Sequence, residues 1–287
     1  MSLREIYKKY RFEFLLITPL LLYVLGFTLG PVIYAIIISF QERFSLQFPS
    51  LSNYHAIISH FQFKEAFFNT LAITFISLSL ELLLGLALAV LLTKQFIGKG
   101  VLRTLVLLPL GVPTIVAASN MRYIFDTQGY VNEILYRLNL IDLPIDWTGG
   151  GLKTIFTIAI ADTWKVTPLV MLVLLAVLES IPIGLFDAAK VDGASSWQIF
   201  KKITLPLLKP FITIALILRG IDAFRLFELP LTLTGSTTPV ISTYTYFEYF
   251  QYNNPYTSAA SAVLLLIMIL ISVVVYFKTV GQTEVVY

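Results

Sequence analysis

The stretch Ile181–Pro210, IPIGLFDAAKVDGASSWQIFKKITLPLLKP, decides how this 287-residue chain is read, because it separates two strongly apolar segments yet is itself patterned like folded structure. Ser180 and Pro182 supply a cap and a residue tolerated in a first helical turn, after which Ile183 to Val191 runs without a breaker. Gly193 ends that helix. Ser195 then stands three residues before Gln198, as in a capping box, while Trp197, Phe200 and Ile203 recur on one face and Lys201 and Lys202 on the other. The pattern predicts two short amphipathic helices joined at a glycine corner. Such a knob offers Leu185, Phe186, Ala188, Ala189, Trp197 and Phe200 for docking.

The chain around the knob is apolar. It is 57% hydrophobic and only 13% charged, with a mean hydropathy of +0.82, far from an ordinary soluble domain. We expect an all-α, polytopic membrane protein of one domain with six transmembrane helices, at about residues 12–40, 66–93, 104–125, 152–178, 207–229 and 256–277, and the helix-turn-helix loop 179–210 between spans four and five. The first apolar stretch is too long for a secretory signal and reads as a retained span. Gly26, Gly30 and Pro31 predict close helix contact and a bend in it, and Gly85 is a contact residue in the second. Pro109, Gly111 and Pro113 predict a broken start to the third. Twelve Lys and Arg fall on the side of the termini and the central loop, against Arg43, Lys64, Arg137 and Lys153 on the other. By the positive-inside rule both termini and the loop are then cytoplasmic, in a plasma or inner membrane.

Several classes of chemistry are excluded. With no cysteine there is no disulfide or thiol chemistry, and His55 and His60 alone make no metal site. The net charge of +3 is spread over short loops without a nucleic-acid-reading motif. No GxxxxGK[ST] sequence occurs, so the chain does not hydrolyse ATP, and no catalytic constellation is found. Conduction remains, with energy supplied from outside. Glu81, Asp162, Lys165, Arg219, Asp222, Arg225 and Glu228 lie at membrane depth. A charge at the bilayer centre costs about 2.5–3.5 kcal/mol, so these should pair or face a wet cavity. The last four alternate in sign at spacing three and can pair along one helix, and Asn120 and Tyr123 are weaker polar candidates in the third span.

Three words of the loop, Asp187-Ala188-Ala189, Asp192-Gly193-Ala194 and Ile203-Thr204-Leu205-Pro206, resemble the EAA loop of the inner-membrane permease subunits of ABC importers, closest to the sugar branch of maltose, trehalose and glycerol-3-phosphate type. Leu108-Pro109, Pro113, Asp162-Thr163-Trp164, Thr167-Pro168, Arg219, Asp222-Ala223-Phe224-Arg225, Phe227 and Leu233-Thr234-Gly235 extend the resemblance from about residue 10 to the end. Asp187 stands where the family carries Glu, one methylene shorter.

The resemblance implies a second permease subunit, an ATPase dimer that holds ATP and Mg, an extracytoplasmic sugar-binding protein and surrounding membrane lipid; this chain itself binds no cofactor. It assigns ATPase coupling to Asp187, Ala188, Ala189, Asp192, Gly193, Ala194, Trp197, Leu205 and Pro206. Asp162, Trp164, Lys165, Val166 and Leu169 on one helix, with Arg219, Asp222 and Ala223 on another, become the sugar path. The transport expected is import of a di- or oligosaccharide such as maltose or trehalose by alternating access. A glycerol-3-phosphate or polyol importer, or an ion-driven secondary transporter using the buried carboxylates, are the other readings of the same residues.

Overall fold

The computed structural model describes residues 10–279, and Arg4, Lys8 and Lys9 of the basic amino-terminal segment lie outside them. Every regular element in that range is helical. In chain order these are α1 (Arg11–Ser39), α2 (Ser52–Ser59), α3 (Phe61–Thr93), α4 (Lys99–Gly111), α5 (Thr114–Ile124) and α6 (Tyr130–Arg137). There follow α7 (Leu152–Ser180), α8 (Ile183–Val191), α9 (Ser196–Phe224), α10 (Glu228–Thr234), α11 (Ile241–Phe250) and α12 (Pro255–Thr279). Five are long and apolar enough to cross a membrane, and the bent pair α4–α5 makes a sixth if taken as one span.

The chain divides into two compact units, one taking the residues up to His60 with Thr245–Leu264, the other Phe61–Tyr244 with the residues from Leu265 on. In the first, α1 contains a π-helical turn, Val24–Leu29, just before Pro31. Proline has no N–H for the carbonyl one turn back, and local widening accommodates the missing bond. A Cβ on Gly26 would meet nothing within 4 Å, so the close contact expected there is not made among the described residues. The turn into α2 is held by Asn53, whose buried amide donates to the carbonyls of Ser39 (2.9 Å) and Gln41 (2.8 Å).

The second unit is built on α3 and α7, packed side by side, with α7 the most enclosed span at 61% buried. Two apolar clusters form along them. One joins Ile73, Ala118, Met121, Phe125, Ile155, Ile158, Leu229 and Leu233; the other joins Ala89, Leu92, Val170, Met171, Leu174, Leu175 and Leu208. Between them α3 carries Glu81 and, one turn on, Gly85. A Cβ on Gly85 would lie 2.9 Å from Cγ1 of Val170 and 3.2 Å from the backbone nitrogen of Met171. Only glycine lets the two helices approach this closely.

Four boundaries differ from the sequence expectation, each for a local reason. The third span breaks in its middle rather than at its start: α4 and α5 meet at 104°, with Val112 extended before Pro113, because proline drives the preceding residue out of helical geometry. The fifth span stops at Phe224, and Glu228 opens the separate helix α10. Pro230 lacks the N–H that a continuous helix would direct at Leu226, and it is tolerated in the first turn of α10 instead. The second short helix of the loop is no separate piece: it continues into the span as α9 through a π-helical turn, Phe200–Thr204, ahead of Pro206. Finally Ser180 is the last residue of α7 and its hydroxyl donates to Val177 (2.7 Å), so it caps nothing; Pro182 precedes α8.

Replacing Gly85 by Val overpacks the α3–α7 contact, with an expected cost of about 1–3 kcal/mol. Gly220→Ala, whose Cβ would find only Leu78 at 3.8 Å, should be neutral. Thermal unfolding of the two variants in mild detergent measures the difference; equal midpoints would contradict the close-contact role.

Candidate functional site

Two constructions carry the polar chemistry. The first lies between the apolar clusters, where α3, α7 and α9 each contribute one ionisable side chain. Arg219 donates from Nε to Oε2 of Glu81 at 2.8 Å and from Nη2 to Oε1 at 3.0 Å, a bidentate pair. The same Nη2 donates to Oδ2 of Asp162. Arg219 is 6% exposed, Asp162 2% and Glu81 1%. A planar guanidinium with several donors in a fixed fork is the side chain suited to bridging two carboxylates at once. Gly85, one helical turn from Glu81, brings α3 close enough to α7 for both carboxylates to reach one cation.

Beside this cluster Lys165 extends from α7 to the break between α4 and α5. Its ammonium donates to the carbonyls of Pro109 (3.2 Å) and Val112 (2.5 Å). The last carbonyls of a helix lack intrahelical partners and carry its negative pole. A cation from a neighbouring helix satisfies both needs, so Lys165 holds the end of α4 where the span turns.

The remaining path candidates are dispersed. Asp222 and Arg225 pair with each other at 2.6 Å on an exposed face of α9 and at its end. Ala223 is buried, Val166 half-buried, and Leu169 and Trp164 are exposed. At about 100° per residue Trp164 lies on the side of α7 opposite Asp162. Asp162 and Arg219 are therefore brought together, and Trp164 and Asp222 stand apart from them. Sequence reading found each charge in the cluster and expected such charges to pair, as Glu81 does with Arg219, but it passed over Arg122, an exposed cation on α5. The signal was present, a basic residue inside an apolar span.

The second construction is the knob. α8 ends in a Schellman arrangement: the N–H of Ala194 donates to Ala189 (3.0 Å), that of Gly193 to Lys190 (3.0 Å), and Gly193 has φ +78°. Ser195 and Gln198 form the expected capping box, with Ser195 N donating to Gln198 Oε1 at 2.7 Å and Gln198 N to Ser195 Oγ at 3.3 Å. No residue is left over between the two devices, so the corner is tightly specified. Asp187, Ala188, Asp192, Leu205 and Pro206 are exposed, Ala189 and Ala194 half-buried. Trp197 is 68% exposed and stacks on Phe200 with ring centroids 5.6 Å apart. Asp187 accepts from Lys190 at 3.0 Å, both in solvent, and such a pair exchanges readily for another partner.

Residues 81–279 match the family described as binding-protein-dependent transport system inner membrane component. The chain is 39% identical over 281 residues to the trehalose/maltose transport system permease protein of Thermococcus litoralis, an alignment covering 95% of this chain and 94% of that one. It is 36% identical over 279 residues to the trehalose transport system permease protein of Mycobacterium tuberculosis, covering 94% and 89%. In fold it is similar to a chain of the crystal structure of a bacterial ABC transporter involved in the import of the acidic polysaccharide alginate, with a TM-score of 0.83, 22% identity, and 98% and 99% of the two chains covered.

Removing the cation alone leaves two carboxylates buried without compensation. Arg219→Leu is expected to destabilise the chain by about 3–5 kcal/mol, whereas the triple change Glu81→Leu, Asp162→Leu and Arg219→Leu should recover most of that loss. Unfolding midpoints in detergent test this. A triple variant no more stable than Arg219→Leu would show that the cluster is not an interdependent unit.

Proposed function

This chain belongs to the family of binding-protein-dependent transport system inner membrane components, and from that premise we propose that it is one of two permease subunits of an ATP-driven importer for a di- or oligosaccharide of the maltose or trehalose kind. The observation that carries the reading is the exposed helix α8, fixed at both ends to spans. Its start follows α7 by the two-residue link Ile181-Pro182, and its end meets α9 through the glycine corner and the capping box. Displacing α8 therefore displaces both spans. At about 1.5 Å per residue, α9 carries that displacement about 35 Å to Arg219, where it reaches α3 and α7 through the ion pairs. An ATPase dimer that closes on ATP and Mg and grips α8 by Leu185, Ala188 and the Asp187 carboxylate thus has a direct line to the membrane centre. In this reading the loop and both termini are cytoplasmic, and a separate binding protein delivers the sugar from outside. The second permease supplies the other wall of the path.

The cations favour a neutral sugar over a phosphate ester. A phosphate wants an available cationic cluster. Here Arg219 is held by two carboxylates, Lys165 by two carbonyls and Arg225 by Asp222. What the exposed faces of α7 and α9 offer instead is an indole ring at Trp164 for stacking and a carboxylate at Asp222 that accepts from sugar hydroxyls.

Purification of the chain in mild detergent from its native operon context should bring down a second permease, an ATPase and a sugar-binding lipoprotein. A chain that elutes alone and drives uptake on an ion gradient would overturn the proposal. Within the assembled importer, Gly193→Val places a β-branched residue at positive φ and should leave the chain folded but uncouple ATP hydrolysis from uptake; normal coupling in that variant would remove α8 from the mechanism. Asp222→Ala should lower sugar uptake about tenfold, the loss of one charge-assisted hydrogen bond. Glu228→Ala, on α10, should leave uptake nearly unchanged, and equal losses in both would return Asp222 to a packing role.

A further inference from the structure

Behind α8 lies a hollow of about 590 Å³, within the range of about 300–1,000 Å³ usual for pockets that take small organic ligands. It is bounded by the ends of α3 and α7, the inner face of α8 and the first turns of α9. Ile183, Phe186 and Lys190, spaced along one side of α8, face into it, so the opposite side with Leu185 and Ala188 is left for a partner. Its walls are apolar, with Leu178, Phe186 and Phe200, yet its lining also includes Lys94 and Glu179. Among the described residues neither of these two is engaged in an ion pair, whereas the Lys190 charge is paired with Asp187. Among the described residues the hollow therefore presents one cation and one carboxylate outside any ion pair, with an oily wall, at the level where α3 and α7 leave the bilayer.

We propose that this hollow binds a zwitterionic aminophospholipid of the cytoplasmic leaflet, its phosphate on Lys94, its primary ammonium on Glu179 and the upper part of an acyl chain against Leu178, Phe186 and Phe200. The assignment of leaflet rests on the importer orientation given above. Charge complementarity selects the headgroup. An anionic lipid satisfies Lys94 but leaves Glu179 unpaired and repelled, and a choline headgroup offers the carboxylate no N–H donor. A small water-soluble zwitterion has nothing to set against the apolar wall. A lipid in this position fills the space between the coupling helix and the spans, so that force applied to α8 is passed on rather than absorbed by collapse of the hollow.

The test is native mass spectrometry of the full-length chain in detergent with added phosphatidylethanolamine, phosphatidylcholine or phosphatidylglycerol. The expected result is retention of one ethanolamine lipid about fivefold above the other two, the scale of one exposed ion pair. Glu179→Gln should abolish the preference over choline lipid, and Lys94→Ala should weaken retention of all three. Both side chains are exposed, so elution as a single folded species controls for misfolding. Equal retention of the three lipids by the unaltered chain, or an unchanged preference in both variants, would overturn the site. Because the measurement needs no ATPase, it is separable from the importer reading: failure to assemble with an ATPase strikes that reading, and a surviving ethanolamine preference still supports the lipid site.

Discussion

A guanidinium in the middle of a bilayer has no water to turn to, and the arrangement of the second unit follows from how Arg219 is satisfied. Its donors reach carboxylates on two other spans, one of them gripped at both oxygens. Such a cluster is directional in a way that apolar packing is not: leucines repack when a helix slides, whereas a bidentate fork tolerates little displacement before a charge is stranded. The apolar clusters on either side supply the bulk of the burial, and the polar layer between them fixes register and rotation. Gly85 belongs to the same requirement, since a side chain there would push α3 away from α7, whose Asp162 shares the cation with Glu81.

The same physics recurs in milder form elsewhere. Where the third span breaks at Val112-Pro113, the carbonyls at the end of α4 take the Lys165 ammonium. Where α8 ends, the carbonyls of Ala189 and Lys190 accept N–H groups from the corner, and the amides at the start of α9 are met by Ser195 and Gln198. Each of these two interruptions is closed by a specific donor or acceptor, as the unpaired groups of a helix end require.

How far these features were legible in the sequence depended on their range. The capping box at Ser195 and Gln198, the corner at Gly193 and the contact at Gly85 are encoded within a few residues, and reading residue types at fixed offsets found them. The division into apolar spans was legible too, and so was a break near Pro109 to Pro113, but not its position in the middle of the third span, and hydropathy ran on past Phe224 where the backbone stops. Glu81, Asp162 and Arg219 are separated by 81 and 57 positions. Periodicity places each on a helix face but says nothing about which face of which helix it meets. The alternation Arg219, Asp222, Arg225, Glu228 suggested pairing along one helix, yet only Asp222 with Arg225 does so, because a partner on a neighbouring span holds Arg219 more completely. Ser180 was misread for a related reason: a serine before a proline looks like a cap, but the preceding helix had not ended.

The π-helical turn Phe200–Thr204 in α9 gives the arm between knob and membrane an angular offset as well as a length. A π turn holds one residue more than the α turn it replaces, which is about 100° of azimuth. The side of α9 that shows Trp197 to solvent is thereby decoupled from the side that shows Arg219 to α3 and α7. Were that turn to tighten, the helix beyond it would advance like a thread by one residue's rise while turning through the same angle. A linear displacement at one end of α9 would then arrive at the charge cluster as a rotation as well.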